Sequence, residues 1–249
     1  MSISELLALS SIILVASIIR GYAGFGFSAI LVAGASLFMP TREVVPLAII
    51  LEIVASLQMA AQVWQHVNWR MVLSILAASL LFIPFGQYVL LWAEVEFMRV
   101  IAAILMLVAV ALTATGRSVP IKNSPKGWFF IGIVSGFMNG LLAMGGMWAM
   151  IFLLGSGIKA STVRASLVAL LFTANSYAVL TGSSQGLINS TICIRSIWAL
   201  PALFLGVWIG SRRFESSNAD TYKKVGLCVL AVLAVTLLVK AIYSVAIEI

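Results

Sequence analysis

Arg20-Gly21-Tyr22-Ala23-Gly24-Phe25-Gly26-Phe27-Ser28 interrupts an apolar run that extends from Leu6 to Met39. A helix rises about 1.5 Å per residue and crosses a hydrocarbon core in roughly 20 residues, so this run is too long for one straight crossing. An arginine and a glycine cluster mark where it divides: one arm up to about Ile19, a break, and a second arm to Met39. A second segment has the same character. Trp128 to Leu154 is also long and apolar, and its interior reads Gly136-Phe137-Met138-Asn139-Gly140-Leu141-Leu142-Ala143-Met144-Gly145-Gly146. Glycines in membrane helices serve close packing at small-xxx-small spacing. Clusters this dense point further, to unwound backbone, which a membrane tolerates only where protein or a water-filled cavity covers the freed polar groups. Whether each break is a re-entrant hairpin or a simple unwinding stays open at this level.

The composition agrees with a membrane chain. Of 249 residues, 62% are hydrophobic and 9% charged. A soluble domain carries about 25% charged residues to cover its surface. The remaining apolar stretches place further crossings at Val44–Trp64, Met71–Trp92, Val100–Thr115, Val163–Thr181, Cys193–Gly210 and Val225–Ile247. The expected fold is therefore all-α: a polytopic membrane protein with about eight transmembrane helices. The net charge of +7 reads as Lys and Arg in the loops, which set membrane orientation, and not as a nucleic-acid surface.

A linker-like stretch with Arg117, Pro120, Lys122, Asn123, Pro125 and Lys126 precedes the second glycine segment. After it the order of features restarts. Shifting the second half back by 119 residues lays Gly140 on Gly21, Gly145 on Gly26 and Val163 on Val44. This predicts one transmembrane domain over residues 1–249, with four-helix repeats at about 5–116 and 127–248 and a linker at 117–126. The first helix of each repeat is broken at glycines. Internal repetition with broken helices in matching places is the pattern of secondary transporters.

Half-helix N-termini carry positive partial charge and bind anions. The expected ligand is thus a small anion near the membrane midplane. Its expected contacts are Arg20, Gly24, Phe25, Gly26, Ser28, Asn139, Gly140, Gly145, Gly146 and Asn175. Arg20 could meet a sulfonate or carboxylate with two parallel bonds. Glu52 lies well inside the second crossing, and a carboxyl there is a candidate for proton coupling. Its alternatives are an ion pair with Arg20 or a protonated hydrogen-bonding group. Arg164 and Lys159 read as interfacial, as does His66 beside Trp64 and Trp69. Gln58, Thr173, Ser176 and Tyr177 read first as helix–helix hydrogen-bonding groups.

Several blocks resemble the sulfite exporter TauE/SafE family of bacterial membrane permeases. They are Gly24-Phe25-Gly26-Phe27-Ser28, Pro40-Thr41-Arg42-Glu43-Val44-Val45-Pro46-Leu47, Glu52, Asn68-Trp69-Arg70, and the segment from Gly136 to Gly146. The resemblance implies two four-helix repeats and movement of small, often sulfur-containing anions. The second block departs from the family pattern: Met147-Trp148 follows Gly145-Gly146 where the family often has a third glycine, small residues and proline.

Rival activities fare poorly. The single Asp, Asp220, excludes an intramembrane aspartyl dyad, and the single His, His66, excludes an HExxH zinc site. Cys193 and Cys228 form no metal-type cluster, and there is no GxxxxGK[ST] phosphate loop. The expectation is a non-enzymatic permease of the bacterial plasma (inner) membrane, without cofactor or metal, working by alternating access with proton coupling as one option. Its partners are a small anionic substrate and the lipid bilayer, with no nucleic acid, and homo-oligomerisation stays open. The alternatives are a passive anion channel and a non-transporting membrane assembly subunit.

Overall fold

A computed structural model describes residues 3–114, 124–153, 158–214 and Val235. Apart from Val235, the expected eighth crossing lies outside the described residues, as does the linker from 117 to 123. Nine α-helices form the described part: α1 (Ile3–Ala23), α2 (Phe27–Ala35), α3 (Thr41–Val63), α4 (Trp69–Trp92), α5 (Val95–Ala114), α6 (Pro125–Leu142), α7 (Gly145–Leu153), α8 (Ala160–Ser184) and α9 (Ser190–Phe214). Five of the described helices are long and apolar enough to cross a membrane, at Glu5–Ala23, Thr41–His66, Trp69–Trp92, Ser161–Ser184 and Ser190–Arg212.

Local chemistry sets several helix starts. Asn68 caps α4 by accepting from the Met71 N–H at 3.2 Å. Ser124 caps α6 by accepting from the Gly127 N–H at 3.3 Å, and Pro125 opens the helix, where its missing N–H costs nothing. Pro40 is extended ahead of α3, and Glu43 lies in the first turn, near the positive end of the helix dipole.

Both glycine-broken segments fold back on themselves. A Cβ built on Gly34 of α2 would touch the Ile12 side chain of α1 at 3.0 Å. If α2 continued α1 in a straight line, these residues would stand roughly 30 Å apart. The second segment behaves alike. The Phe130 ring of α6 and the Phe152 ring of α7 have centroids 6.2 Å apart, and the Ser135 hydroxyl donates to the Gly145 carbonyl at 2.9 Å. Each segment is thus a helical hairpin and not a pair of collinear arms. The second break is also shorter than the sequence suggested. Helix α6 runs without interruption through Gly136 and Gly140, and the chain turns at Ala143 and Met144. Those two glycines serve helix packing, the plainer reading of their spacing.

Glycine contacts fix the helix directions. Along α6, Gly132 meets Ile75, Gly136 meets Ser79 and Gly140 meets Ile83, so α6 runs parallel to α4. Along α9, Gly206 meets Leu14 and Ser17, and Gly210 meets Ile18 and Tyr22, so α9 runs parallel to α1. Helix α3 leaves the short turn after α2 and meets the start of α2 at Ser28–Glu52, which makes α2 and α3 antiparallel. Helix α3 therefore runs with α1, α4 runs against it, and α6 is opposed to α1. Helices α3 and α8 pack together at the centre, and the core gathers Phe27, Ile30 and Leu31 of α2 with Leu47, Leu51 and Ala55 of α3.

These seams leave no room for a methyl group. A Cβ at Gly140 would collide with the Ile83 carbonyl, and one at Gly206 with the Leu14 carbonyl and Ser17. Gly140→Ala and Gly206→Ala should each destabilise the protein by about 1–3 kcal/mol through overpacking. Thermal unfolding of the detergent-purified variants measures this; unchanged melting would show that the seams yield.

Candidate functional site

At the first break Gly24 (φ +77°) and Gly26 (φ +91°) take left-handed backbone, which turns the chain into α2. At the second break the residue 119 positions after Gly24 does the same with a side chain attached: Ala143 has φ +56°. Left-handed backbone costs an alanine about 1–2 kcal/mol. The surrounding packing supports that turn, since a Cβ on the neighbouring Gly145 would lie 2.6 Å from the Ser135 carbonyl oxygen.

Arg20 ends α1 one turn before the first break and is wholly buried. Its Nη1 donates to the Gly24 carbonyl, and its Nη2 donates to Ser56 Oγ at 2.7 Å. The same Nη2 lies 3.2 Å from Glu52 Oε2. Glu52, at 2% exposure, turns its other oxygen to α2: Oε1 accepts from Ser28 Oγ at 2.9 Å and from the Ser28 N–H at 3.4 Å. The carboxylate thus sits on the N-terminus of α2, where the helix dipole favours a negative group, and on a guanidinium. Glu52 is the middle residue of α3, so this cluster lies near mid-depth of that crossing.

The second hairpin repeats part of this arrangement with neutral groups. Asn139 ends α6 one turn before its break, and its Nδ2 donates to Asn175 Oδ1 at 2.8 Å. Positions 139 and 175 are positions 20 and 56 shifted by 119, so the Arg20–Ser56 bond and the Asn139–Asn175 bond occupy equivalent places. Both asparagines are buried, and Asn139 Oδ1 and Asn175 Nδ2 have no hydrogen-bond partner among the described residues. The charge is not repeated. The same shift takes Glu52 to Leu171 and Ser28 to Met147.

The two breaks face each other. Gly26, Ser28, Ala29 and Glu52 form one side of a small cavity, and Ala143, Met144, Gly146 and Met147 form the other. The space measures about 10 Å³, room for about one water molecule. Of the residues expected at the site, Gly26, Ser28 and Gly146 line this cavity beside Glu52, and Arg20 and Gly24 stand directly behind it. Asn139 and Asn175 pair with each other outside the lining. Phe25 is half-buried against the core. Gly140 faces α4 and borders a separate apolar space with Val45, Pro46 and Ile49.

A family model described as Sulfite exporter TauE/SafE matches residues 9–237. The chain belongs to the TauE/SafE family. No curated protein and no solved structure matches it. Membership in a family of membrane anion exporters, together with the apolar spans, makes this a multi-pass membrane protein of the transporter class. In this TauE/SafE chain the matched region contains both glycine breaks and the whole Arg20–Glu52 cluster.

One residue of the cluster was not singled out by sequence. Ser56 was missed, although it follows Arg20 at the interval that separates Asn139 from Asn175, and that shared spacing was the available signal. Arg164, outside the cluster, was read as interfacial. Its Nη2 donates to the Gly21 carbonyl at 2.6 Å, and its side chain packs against Gly24, so it braces the first break from α8. Thr173 and Ser176 bond to carbonyls of their own helix, and Gln58 donates to the Phe204 carbonyl at 3.1 Å.

Removing one partner of a buried ion pair costs about 3–5 kcal/mol, because the other charge is left uncompensated. Glu52→Ala should therefore lower thermal stability steeply. The Arg20→Ala/Glu52→Ala double variant should lose less than the sum of the two single variants. A double-mutant cycle of unfolding temperatures reads this coupling, and simple additivity would mean that the two groups stabilise independently.

Proposed function

We propose that the chain is a secondary transporter that moves a small anion (sulfite, a sulfonate or another organic anion) across the bacterial plasma membrane by alternating access. The observation that carries this reading is the meeting of two oppositely directed hairpins at a buried charged cluster, near the middle of a membrane-crossing helix. Half-helix ends aimed at a midplane site are a recurring construction for substrate binding in transporters. The cavity between them would admit about one water and is too small for a sulfur atom with three oxygens around it. A site closed in this way favours a carrier over a passive channel, which needs a continuous path. The paired bonds at a 119-residue shift and the opposed directions of α1 and α6 support two repeats, about 5–116 and 127–248, within one domain.

In this reading Arg20, Gly24, Gly26 and Ser28 form the positive wall of the substrate site, and Gly145 and Gly146 let the second hairpin approach. Phe25, Asn139, Gly140 and Asn175 border it or support the hairpins. Glu52 is the group that takes the proton if transport is coupled to a pH gradient. The substrate anion and the lipid bilayer are the partners, and no cofactor enters the scheme.

Counterflow in proteoliposomes tests the carrier class. Unlabelled substrate on the far side should accelerate uptake of labelled substrate; a channel gives no such acceleration, and an assembly subunit moves nothing. A panel of sulfite, thiosulfate, sulfoacetate, taurine and short carboxylates tests the anion. A ligand at 100 times its Kd should stabilise the purified protein by about 2.7 kcal/mol, and the shift should vanish in Arg20→Ala. Glu52→Gln should keep substrate exchange and lose dependence on a pH gradient; unchanged dependence would remove Glu52 from that role.

A further inference from the structure

An incoming anion at the first hairpin needs the groups that Glu52 already holds. The Ser28 N–H and hydroxyl are taken by Glu52 Oε1, and the Arg20 guanidinium faces Oε2. The carboxylate also forms part of the cavity wall, so the space for about one water is what remains with Glu52 in place. A three-oxygen anion cannot share this seat. It would need the same donors and the same volume, and it would bring a second negative charge into contact with a buried carboxylate.

We propose that Glu52 is an internal anion occupying the substrate seat, so that the ionised carboxylate and a bound substrate anion exclude each other. The seat opens to an anion when Glu52 takes up a proton. A neutral carboxyl loses its attraction to Arg20 and no longer needs the positive end of α2, so it can turn away and leave the Ser28 donors and Arg20 to the substrate. This rests on the anion-transport reading and gives it a sign. One proton accompanies each anion, and both move in the same direction, whichever way the substrate gradient points.

Among the described residues, the surroundings leave this exchange to a single carboxylate. Arg20 of α1 is the charged group facing Glu52. On α2 the facing group is Ser28, and on the second hairpin Ala143, Met144, Gly146 and Met147 carry no charge. Arg164 of α8 stands behind the break, bonded to the Gly21 carbonyl. In the second half, Leu171 and Met147 replace Glu52 and Ser28, so the N-terminus of α7 has no equivalent internal anion.

The test uses the purified full-length protein and methanesulfonate, whose sulfonate stays ionised throughout the range studied and carries no proton of its own. Binding is measured by titration calorimetry between pH 5.5 and 8.5. If only the protonated form accepts an anion, wild-type Kd should rise about tenfold per pH unit once Glu52 is mostly ionised. Glu52→Gln should bind at pH 8 at least about tenfold more tightly than wild type, with no pH slope. Glu52→Asp keeps a charge for Arg20 and guards against a misfolded glutamine variant. One methylene shorter, it reaches Ser28 less well, so it should bind more tightly than wild type and keep the slope. Equal Kd and equal slope in wild type and both variants would overturn the exclusion and leave the transport reading standing. Absence of binding in all three proteins at every pH would overturn both.

Discussion

A backbone that turns around inside a membrane must find partners for the polar groups it frees, and in this chain the buried pair of Arg20 and Glu52 supplies them. Arg20 donates to the Gly24 carbonyl at the break, and Glu52 accepts from the free amide of Ser28 in the first turn of α2. Arg164 and Ser211 close the remaining gap at the Gly21 carbonyl. Each charge is tolerable because the other is present, and the turn is tolerable because both are. The position of α2 against α3, and with it one wall of the cavity, follows from that pair.

The second hairpin solves the same problem without charge. An asparagine pair stands where Arg20 and Ser56 stand, and Ala143 turns the chain in place of Gly24. Its wall of the cavity is made of thioether and backbone. The two hairpins therefore share a scaffold and differ in chemistry: one wall carries the Arg20–Glu52 pair and the other offers an apolar surface.

Much of this was legible in the residues. Hydropathy and the two glycine clusters predicted an all-helical membrane chain with broken helices, because both depend on local composition. Arg20 and Glu52 stood out for the cost of burying them and Ser28 for its place in the first break, and the structure brings them together. The fold-back of α2 on α1 was not legible, since the Gly34–Ile12 contact depends on the turn angle at Gly24 and Gly26 and not on periodicity. Nor could spacing separate the two uses of glycine. Gly140 looked like part of a break, but what decides its role is the Ile83 carbonyl on a distant helix. Ser56 escaped because one serine in a helix carries no local signal; its meaning lies in a partner 36 residues away.

The glycine seams also bear on how the protein is made. Helix α1 finds its close partner in α9, and α6 finds its partner in α4. The first hairpin to leave the ribosome must therefore wait for the last of the described helices before its flank is covered. Until then its charged tip is sheltered first by α3, through Glu52 and Ser56, and later by Arg164 of α8. The carboxylate that holds the finished site would also serve as an early chaperone for Arg20, letting a buried arginine enter the bilayer already neutralised.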